Sequence, residues 1–410
     1  MNPRAEIICV GSELLAGVPN THLSFLGPRL SAAGFDAARE CTVPDDEDEI
    51  REAVADAACR AELVLVSGGL GPTFDDITRE GVAAALGRRL IYEPRLYTRI
   101  RRQYARCRMT VSESNKRQAK VIEGAKVIPN ALGTAPGQFV ESGQTLIVLL
   151  PGPPRELRPM FERKVLPELL RRFGRRRGPF RRLYRICGLT EASVGEQALP
   201  LLRGLPGVEL TILSGRGLVD LYASARLKGG ARQLGLLEKR IKRRFGAHAY
   251  GTGEDSLESV VGARMRALGW KLAVAESCTG GLLAGKITAV PGSSEYFLGG
   301  VVAYNDSIKH SVLGVPKELL RRHGAVSSPI ARRMAEGARR RFGSDAAVSI
   351  TGIAGPGGGS RKKPTGLVFI GISTPRETVV LRSHFAGDRN QIRQRAATAA
   401  LFELLRQLPL

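Results

Sequence analysis

The sequence predicts an α/β fold for its first and last parts, with a smaller segment of mixed structure between them. Short apolar runs alternate with stretches whose apolar residues recur at helical spacing, and glycine-rich turns follow several of these runs. The stretch 171–185 carries eight arginines and interrupts the alternation. These observations predict three domains, over residues 1–170, 171–250 and 251–410.

In the first domain, apolar runs predict buried strands at 5–11, 61–69 and 145–152. Two helices are predicted between the first two strands, at 22–34 and 46–60, and the second opens with acidic residues that suit the positive end of a helix dipole. Alternating strands and helices imply a parallel sheet that is doubly wound, with helices on both faces. Ligands of such a sheet bind outside the carboxyl ends of its strands.

In the middle segment, the stretches 181–189, 208–227 and 234–250 together predict strands with one or two helices. The last domain returns to the alternation, which predicts a second α/β domain. Its strand candidates are apolar runs that end in polar or glycine residues, at 270–277, 295–305, 346–359 and 366–374.

The composition limits the class of protein. The 410 residues carry a net charge of +23, mostly from arginine. Such a charge is typical of proteins that bind nucleic acid, acidic membranes or phosphorylated ligands. A genome-wide codon preference for arginine explains the charge equally well. No apolar stretch reaches the roughly 18–20 residues of a membrane-spanning helix. The start of the chain lacks the apolar core of a signal peptide, and the six cysteines are scattered and expected to be buried thiols. We expect a cytoplasmic protein without a membrane partner.

A glycine-rich turn followed by two aspartates is the main candidate site of the first domain. The stretch "SGGLGPTFDDIT" (67–78) follows a predicted strand, so its backbone amides can hold a phosphate. A carboxylate beside a phosphate site is typical of a Mg-type cation, and Asp75 and Asp76 are the candidate ligands. Adjacent side chains diverge, so one of the two is expected to reach the metal directly. The alternative is an Asx-turn that leads into a helix capped by Thr78.

In the last domain, the run "LAVAESCTGG" (272–281) ends a predicted strand on Glu276, Ser277, Cys278 and Thr279. A hydroxyl at such a turn is either a nucleophile beside backbone N–H groups or the N-cap of the next helix. The residues at the other strand ends of this domain distinguish between the two interpretations.

Two further strand ends in this domain carry polar groups. Tyr304 and Lys309 follow a strand in "VVAYNDSIKH" (301–310), and Thr351 precedes a second glycine-rich turn in "VSITGIAGPGGG" (348–359). The five histidines are scattered, and none stands in a Ser-His-Asp signature. A serine with a lysine instead suggests a Ser-Lys arrangement, in which a neutral lysine takes the hydroxyl proton.

The first domain resembles the molybdopterin-binding-like N-terminal domain of the CinA (competence/damage-inducible protein A) family, from residue 4 to about 170. The resemblance is carried, in order, by "GSELLAG", "GGLGPTFDDIT", "ESNKRQA", "NALGTAPGQ" and "LPGPPREL". It implies hydrolysis of ADP-ribose to AMP and ribose 5-phosphate with a divalent metal ion, either of Mg type or a transition metal. His22 departs from the pattern, because the family often has asparagine at that position.

The same resemblance implies site residues. By motif position, Asp45 and Asp76 resemble two pocket aspartates of the related molybdopterin enzymes, and Asp76 with Asp75 would hold the metal. The implied substrate contacts lie in the glycine-rich turn and in two later motifs: Gly68, Gly69, Gly71, Thr73, Asn115 and Thr134.

The last domain resembles the C-terminal CinA domain, which also occurs alone as nicotinamide mononucleotide deamidase, from about Leu257 to Phe402. The motifs are "AESCTGG", "GGVVAYNDSIKH", "HGAVS" and "SITGIAGPGGG" followed by "KPTG". The resemblance implies an α/β amidohydrolase that converts the carboxamide of nicotinamide mononucleotide to a carboxylate and releases ammonia, without a metal.

In this reaction Ser277 would attack the carboxamide carbon, Lys309 would accept the serine proton, and Tyr304 would orient Lys309 or the hydroxyl. Thr351 is a fourth catalytic candidate. The backbone amides of the turn would hold the oxyanion, and the later glycine turn would receive the phosphate. The substrate-binding candidates are therefore Cys278, Thr279, Gly280, Gly281, Gly352 and Gly355.

Between these domains the family usually carries a small KH-like α+β domain, and residues 171–250 have the matching size. The loop "SGRGLVD" (214–220) lacks the GXXG motif with which KH domains clamp RNA, so the arginine runs are expected to be solvated surface. We expect a homodimer without a sequence-specific nucleic-acid partner. Two alternatives stay open, namely competence-related nucleic-acid binding and molybdopterin binding without hydrolysis.

Overall fold

The computed structural model describes residues 2–106, 108–174, 178–215, 217–226 and 229–409. The chain divides into two compact units, Met1–Pro179 and Phe180–Leu410. Three arginines of the predicted arginine-rich interruption, at 175–177, lie outside the described residues, as does Arg216 of the middle loop. This division contains no boundary near residue 250, where the sequence predicts one. The three-domain organisation therefore stays a prediction.

The first unit alternates strands and helices. Its strands are β1 (Arg4–Val10), β2 (Asp36–Val43), β3 (Leu63–Ser67), β4 (Leu90–Tyr92), β5 (Lys120–Ile122), β6 (Lys126–Ile128), β7 (Gly137–Ser142) and β8 (Thr145–Leu150). Its helices are α1 (Ser12–Leu15), α2 (His22–Ala32), α3 (Glu47–Arg60), α4 (Thr78–Ala85), α5 (Pro94–Arg106), α6 (Pro154–Met160) and α7 (Leu166–Phe173).

The main sheet of this unit has the strand order β2-β1-β3-β8-β7-β6. Strands β2, β1, β3 and β8 are parallel, as predicted. The other edge departs from the predicted parallel arrangement, since β7 runs antiparallel to β8 and β6 runs antiparallel to β7. The physical reason is the tight turn at Gly143, since a turn this short can join only antiparallel neighbours.

Successive residues of the central strands point to opposite faces of the sheet and enter two separate cores. Ile7 and Leu65 pack with the residues of one core, against helices α2 and α6. Ile8 and Val66 pack into the other core, which contains Val54 of helix α3. Because both faces are covered, the parallel strands read as continuous apolar runs, which is why the sequence predicts them.

The second unit begins with a sheet that is antiparallel throughout, in the order β10-β11-β9-β12. Its strands are β9 (Phe180–Cys187), β10 (Val208–Gly215), β11 (Leu218–Ala225) and β12 (Ala249–Thr252), and its helices are α8 (Glu191–Ala198) and α9 (Gly230–Phe245). Both helices pack against a shared apolar core, to which Val194 and Leu237 contribute. This arrangement agrees with the predicted α+β character of the middle segment.

The remainder of the second unit is a mixed α/β layer structure. Its strands are β13 (Leu272–Glu276), β14 (Phe297–Val302), β15 (Ala346–Gly352), β16 (Leu367–Ser373) and β17 (Thr378–His384). Its helices are α10 (Leu257–Leu268), α11 (Leu282–Thr288), α12 (Asp306–Leu313), α13 (Lys317–His323), α14 (Ser328–Phe342) and α15 (Arg389–Gln407). The strand order is β14-β13-β15-β16-β17, in which β14, β13 and β15 are parallel and the last two strands are antiparallel.

The predicted α/β class therefore holds for both ends of the chain. No helix in the described ranges combines the length and the apolar character needed to cross a bilayer. The expectation of buried cysteines is correct for Cys9, Cys187 and Cys278, whereas Cys41 is half-buried and Cys59 is exposed. Residue 107, the remaining cysteine, lies outside the described residues.

Candidate active sites

A cavity of about 720 Å³ lies at the carboxyl ends of the parallel strands of the first unit. Its lining includes Gly11 after β1, Asp45 after β2, Gly68 after β3 and Pro151 after β8. The predicted glycine-rich turn and the predicted aspartates therefore meet at one cavity, at the edge of the sheet where ligands of doubly wound folds bind.

The glycines of this turn leave no room for side chains. A Cβ atom on Gly68 would lie 2.1 Å from the carbonyl oxygen of Val10, and one on Gly69 would lie 2.1 Å from Thr78 Oγ1. Both glycines have positive φ angles, of 104° and 60°. A Cβ on Gly71 would lie 2.3 Å from Asp76 Oδ2. The turn thus brings bare backbone to the cavity, as close approach of a phosphate requires.

The alternative interpretation of this turn, a helix capped by Thr78, is wrong. Helix α4 begins at Thr78, and its N-cap position is Ile77, which makes no side-chain cap. Thr78 Oγ1 instead donates a hydrogen bond of 2.9 Å to the carbonyl oxygen of Gly68. The threonine therefore stabilises the glycine-rich turn itself.

The three predicted aspartates all line the cavity. Asp76 Oδ2 accepts hydrogen bonds from the backbone N–H of Thr73, at 2.9 Å, and from its hydroxyl. Hydrogen bonding to Thr73 also lowers the pKa of the exposed Asp75 carboxyl. Asp45 Oδ2 accepts from Ser12 N at 2.8 Å, and Ser12 Oγ accepts from Asp45 N at 3.1 Å. Asp45 and Asp76 are thus each held in place at the cavity by hydrogen bonds.

These carboxylates fit a cation that takes most of its ligands from water and substrate. Within the described part of the chain, no group of three or more His, Cys, Asp or Glu side chains could hold a metal ion by itself. Mg²⁺ is usually bound by one or two carboxylates together with waters and substrate phosphates. Asp76 Oδ1 accepts no hydrogen bond from a described residue. Asp76, with Asp75 beside it, therefore suits a Mg-type ion bound together with a phosphate.

His22, the departure from the family pattern, lines the same cavity as a neutral side chain. Its Nε2 lies 2.7 Å from the carbonyl oxygen of Gly152, and its Nδ1 lies 2.9 Å from Ser67 Oγ. A carbonyl oxygen can only accept, so Nε2 carries the hydrogen and Nδ1 accepts from the serine. Burial lowers the pKa of His22, which favours this neutral form.

Two of the predicted substrate contacts do not line the cavity, namely Thr73 and Asn115. Asn115 is buried, and its amide donates to Tyr104 Oη at 2.9 Å and to Gln118 Oε1 at 3.1 Å. Gln118 Nε2 in turn donates to Thr134 Oγ1 at 3.0 Å, and both of these residues line the cavity. Asn115 is thus connected to the cavity through Gln118, which sequence reasoning did not select.

Glu156 is a further cavity residue that the sequence reasoning missed. Its buried carboxylate accepts a hydrogen bond of 2.8 Å from Asn130 Nδ2. The residue lies within the recognised motif "LPGPPREL", directly after a predicted strand, so its position was the available signal.

In the second unit, the helix that follows Ser277 is capped by Glu276. The buried Glu276 carboxylate accepts hydrogen bonds of 2.8 to 3.1 Å from three backbone N–H groups within 281–284. The formal N-cap of α11, Gly281, contributes no side chain. A negative charge at this end of a helix is favourable. The interpretation of Ser277 as the helix cap is therefore wrong.

The Ser277 hydroxyl remains unengaged at the end of β13. Ser277 is 8% exposed, and its backbone N–H donates to the carbonyl oxygen of Ile350 at 2.9 Å. No described residue forms a hydrogen bond with its Oγ atom. Burial raises the pKa of the neighbouring Cys278 thiol to about 11, so that thiol is protonated at neutral pH and is a poor nucleophile.

The backbone N–H groups of the turn divide into engaged and unengaged ones. Gly281 N donates to Glu276, and Gly280 N donates to the carbonyl oxygen of Ser277 at 3.1 Å. The N–H groups of Cys278 and Thr279 donate to no oxygen of a described residue. The predicted oxyanion site of four amides is therefore reduced to two, because helix capping and the turn itself use the others.

Lys309 belongs to helix α12, which follows β14, the strand beside β13. Glu276 pairs with Val302, and the Glu276 carbonyl oxygen accepts from Ala303 N at 2.7 Å. Lys309 is 1% exposed, and its Nζ donates to the carbonyl oxygen of Tyr304 at 3.2 Å and to Asp306 Oδ1 at 3.1 Å. An ammonium group has three hydrogens, so one remains for a further partner.

Tyr304 contacts Lys309, as predicted, but through its backbone, whereas Thr351 makes a contact other than the predicted one. Tyr304 positions Lys309 through its backbone carbonyl, while its hydroxyl accepts a hydrogen bond of 2.9 Å from Arg389. Thr351 is fully buried, and its Oγ1 donates to the carbonyl oxygen of Ala325 at 2.9 Å. This hydroxyl is thus committed to a backbone contact, and a catalytic role for Thr351 has no support from its contacts.

Two arginines that sequence reasoning missed connect these segments. Arg389 donates to the carbonyl oxygen of Gly355, at 2.7 Å, and to Tyr304 Oη. Arg393 donates to the carbonyl oxygen of Thr279 at 2.7 Å. Both belong to the start of α15, four residues apart and hence on one helix face. The available signal was this spacing, directly after the N-cap residue Asp388.

The comparisons with known proteins agree with the two-part architecture. Residues 6–171 match the MoCF_biosynth family, described as "Probable molybdopterin binding domain", and residues 254–408 match the CinA C-terminal domain. A relative from Moorella thermoacetica that carries the name competence-damage inducible protein is 45% identical over 409 residues, which are 99% of each chain. The chain belongs to the CinA family.

Other CinA relatives extend this result. A CinA-like protein from Solibacter usitatus is 40% identical over 408 residues, covering 98% of this chain and 97% of its own. Among solved structures, the competence/damage inducible protein CihA from Agrobacterium tumefaciens is 39% identical, covers 37% of this chain and 94% of that chain, and has a TM-score of 0.36. The family resemblance predicted from the ordered motifs is therefore confirmed, with a molybdopterin-binding fold at the N-terminus and a CinA domain at the C-terminus.

Proposed function

We propose that the second unit is an amidohydrolase that converts nicotinamide mononucleotide and water to nicotinate mononucleotide and ammonia. The turn at the end of β13 carries this proposal. The Ser277 hydroxyl has no partner in the described chain, and the N–H groups of Cys278 and Thr279 beside it have no acceptor there. A free hydroxyl next to free N–H groups is the arrangement that acyl transfer needs.

In the proposed reaction, Ser277 Oγ attacks the carboxamide carbon and the carbonyl oxygen becomes an oxyanion. The N–H groups of Cys278 and Thr279 stabilise that charge. Lys309 acts as the general base, which takes the serine proton and passes it to the departing ammonia. Water then hydrolyses the acyl-enzyme, which restores the serine and gives the carboxylate.

The phosphate of the substrate is assigned to the arginines of α15. Arg389 and Arg393 use only part of their five N–H donors on the turns at Gly355 and Thr279. Their remaining donors, together with the glycine-rich turn after Thr351, suit a phosphate, which arginine binds in bidentate fashion. This assignment refines the predicted phosphate site at Gly352 and Gly355.

Ammonia release from nicotinamide mononucleotide by the full-length chain tests the first proposal. Release that depends on enzyme concentration and yields equal amounts of nicotinate mononucleotide is expected. The absence of both products, in a protein that is folded by circular dichroism, would reject the proposal.

We also propose that the first unit hydrolyses ADP-ribose to AMP and ribose 5-phosphate. The observation in its support is the cavity in which the bare glycine turn and the carboxylates of Asp45, Asp75 and Asp76 lie together. Asp76 and Asp75 would hold a divalent ion, which when bound supplies positive charge that polarises a phosphoryl oxygen. The turn binds the pyrophosphate, and Asp45 accepts a proton from the attacking water.

The variant Asp76→Ala tests this second proposal. With ADP-ribose and a divalent metal, we expect at least a hundredfold loss of AMP formation, because the ion loses its main protein ligand. The matched control is Asp48→Ala, since Asp48 is an exposed aspartate of α3 that does not line the cavity. Unchanged AMP formation by Asp76→Ala would remove Asp76 from the metal site. AMP formation by neither variant nor the unaltered chain would instead favour molybdopterin binding without hydrolysis.

A further inference from the structure

Arg79 is a fully buried arginine directly behind the glycine-rich turn of the first unit. Its Nη1 donates to the carbonyl oxygen of Leu70 at 2.8 Å, and its Nη2 donates to that of Gly71 at 3.2 Å. Its Nε is buried and has no hydrogen-bond partner among the described residues. Within the described chain, Arg79 forms no salt bridge with a carboxylate. Such a charge is costly to bury, so its position calls for a compensating role.

Arg117 holds the other half of the same turn. Its Nη1 donates to the carbonyl oxygens of Thr73 and Phe74, both at 3.2 Å, and its Nη2 donates to Glu80 Oε1 at 3.3 Å. The two arginines together therefore engage four carbonyl oxygens within 70–74.

The peptide geometry shows what these contacts do to the N–H groups. In a trans peptide the C=O and the next N–H point in opposite directions. Because the Leu70 carbonyl points to Arg79, the N–H of Gly71 points away from Arg79. The N–H groups of Gly69, Leu70 and Gly71 donate to no oxygen of a described residue, and these residues line the cavity. These residues thus bring free donors to the cavity, and the buried cation lies on the far side of the Leu70–Gly71 peptide from the Gly71 N–H.

We propose that Arg79 is a positioning residue of the first unit: it fixes the turn with its N–H groups toward an oxyanion ligand and places a positive charge behind them. The ligand class is a pyrophosphate group. The charges of Glu80 and, to a lesser extent, Asp76 act on Arg79 against the effect of burial. An anion bound at the turn would add to this compensation. The nucleotide identity of the ligand rests on the proposed hydrolysis of ADP-ribose, whereas the anion site does not.

Arg88 provides a control with the same type of contact at another place, although Arg88 is half-buried and Arg79 is fully buried. Its Nη1 and Nη2 donate to the carbonyl oxygens of Glu123 and Glu141, at 3.2 and 2.6 Å. Arg88 lines a different cleft and does not line the cavity that contains Asp76. An arginine that only braces the backbone should therefore behave like Arg88.

The experiment compares Arg79→Gln and Arg79→Lys with Arg88→Gln and Arg88→Lys in the full-length chain. Binding of inorganic pyrophosphate is measured by calorimetry at two salt concentrations, well below the thermal transition of each variant. We expect Arg79→Gln to bind at least about tenfold more weakly and with less dependence on salt, since a charge near the anion is lost. Arg79→Lys keeps the charge and should therefore lose less affinity than Arg79→Gln. We still expect a loss of at least about threefold, because a single ammonium cannot donate to both carbonyl oxygens as the guanidinium does. Both Arg88 variants should bind like the unaltered chain.

The outcomes separate this inference from the proposed function. A folded Arg79→Gln variant with unaltered affinity and salt dependence overturns the inference. Should Arg79→Gln fail to fold, equal affinity of Arg79→Lys and Arg88→Lys overturns it in the same way. An unaltered chain that binds no pyrophosphate also overturns it. An unaltered chain that binds pyrophosphate but does not cleave ADP-ribose contradicts the proposed hydrolysis and leaves the role of Arg79 supported.

Discussion

Three adjacent side chains at the end of β13 show how burial assigns different roles to neighbouring residues. Glu276 is buried as a carboxylate because three N–H groups compensate its charge. For Cys278, burial outweighs the groups that would favour a thiolate, so the pKa of its thiol is raised and the thiol stays protonated. Ser277 between them is left with a free hydroxyl. The division of roles among the three leaves Ser277 as the candidate nucleophile.

The contacts of Lys309 give a prediction at the same scale. Lys309→Arg keeps the positive charge but cannot give up a proton near neutral pH. If Lys309 is the base, we expect the rate of ammonia release at saturating substrate to fall about 10² to 10⁴-fold. The control is Lys317→Arg, since Lys317 is an exposed residue at the start of α13. Full activity of Lys309→Arg would mean that Lys309 acts only as a hydrogen-bond donor, as its contacts with Tyr304 and Asp306 also permit.

At the scale of single elements, α11 depends on a side chain that lies outside it. Glu276→Ala leaves three N–H groups of this helix start without their acceptor, and we expect a loss of about 3 kcal/mol or more of unfolding free energy for the second unit. Glu276→Gln keeps one acceptor oxygen and should lose less. Glu318→Ala is the control, because Glu318 is 70% exposed in a surface ion pair with Arg321 and should change stability by less than about 0.5 kcal/mol. Denaturant unfolding of the three variants checks this, and equal stability of Glu276→Ala and the control would contradict the capping role.

The strands of the two units differ in how well the sequence predicts them. The parallel strands are continuous apolar runs, so their positions and the glycine turns after them are evident. The three-residue strands β4, β5 and β6 are too short to give a periodic pattern. Arg393 donates to Thr279 from 114 residues further along the chain, and no local pattern contains that distance. The direction of the Glu276 side chain also determines which N–H groups of the Ser277 turn are free. That direction depends on the folded structure and cannot be read from a local pattern.

For the whole molecule, the packing of the second unit predicts where the chain can be divided. Cys187 and Tyr250 belong to the same apolar core as Leu272, and the His248 ring lies 5.6 Å from that of Phe402. A fragment that starts near residue 253 therefore exposes part of this core. We expect the fragment 180–410 to fold and keep ammonia release, and a fragment from residue 253 to be less stable while keeping the residues of the reaction.

Thermal melts and ammonia release on both fragments and the full-length chain check this prediction. A folded but inactive fragment 180–410 would show that the first unit takes part in the reaction. Equal melting temperatures of the two fragments would show that the antiparallel sheet adds no stability to the rest of the second unit.

The most direct test of the account is a comparison of Ser277→Ala with Ser256→Ala. Ser256 is a true N-cap, whose hydroxyl accepts from Ser259 N at 3.1 Å. Its loss should cost about 1 kcal/mol of stability and leave ammonia release from nicotinamide mononucleotide intact. Ser277→Ala should do the reverse, with ammonia release lowered about a thousandfold or more and an unchanged melting temperature. Ammonia release by Ser277→Ala at the rate of the unaltered chain would contradict the central claim that Ser277 is the nucleophile.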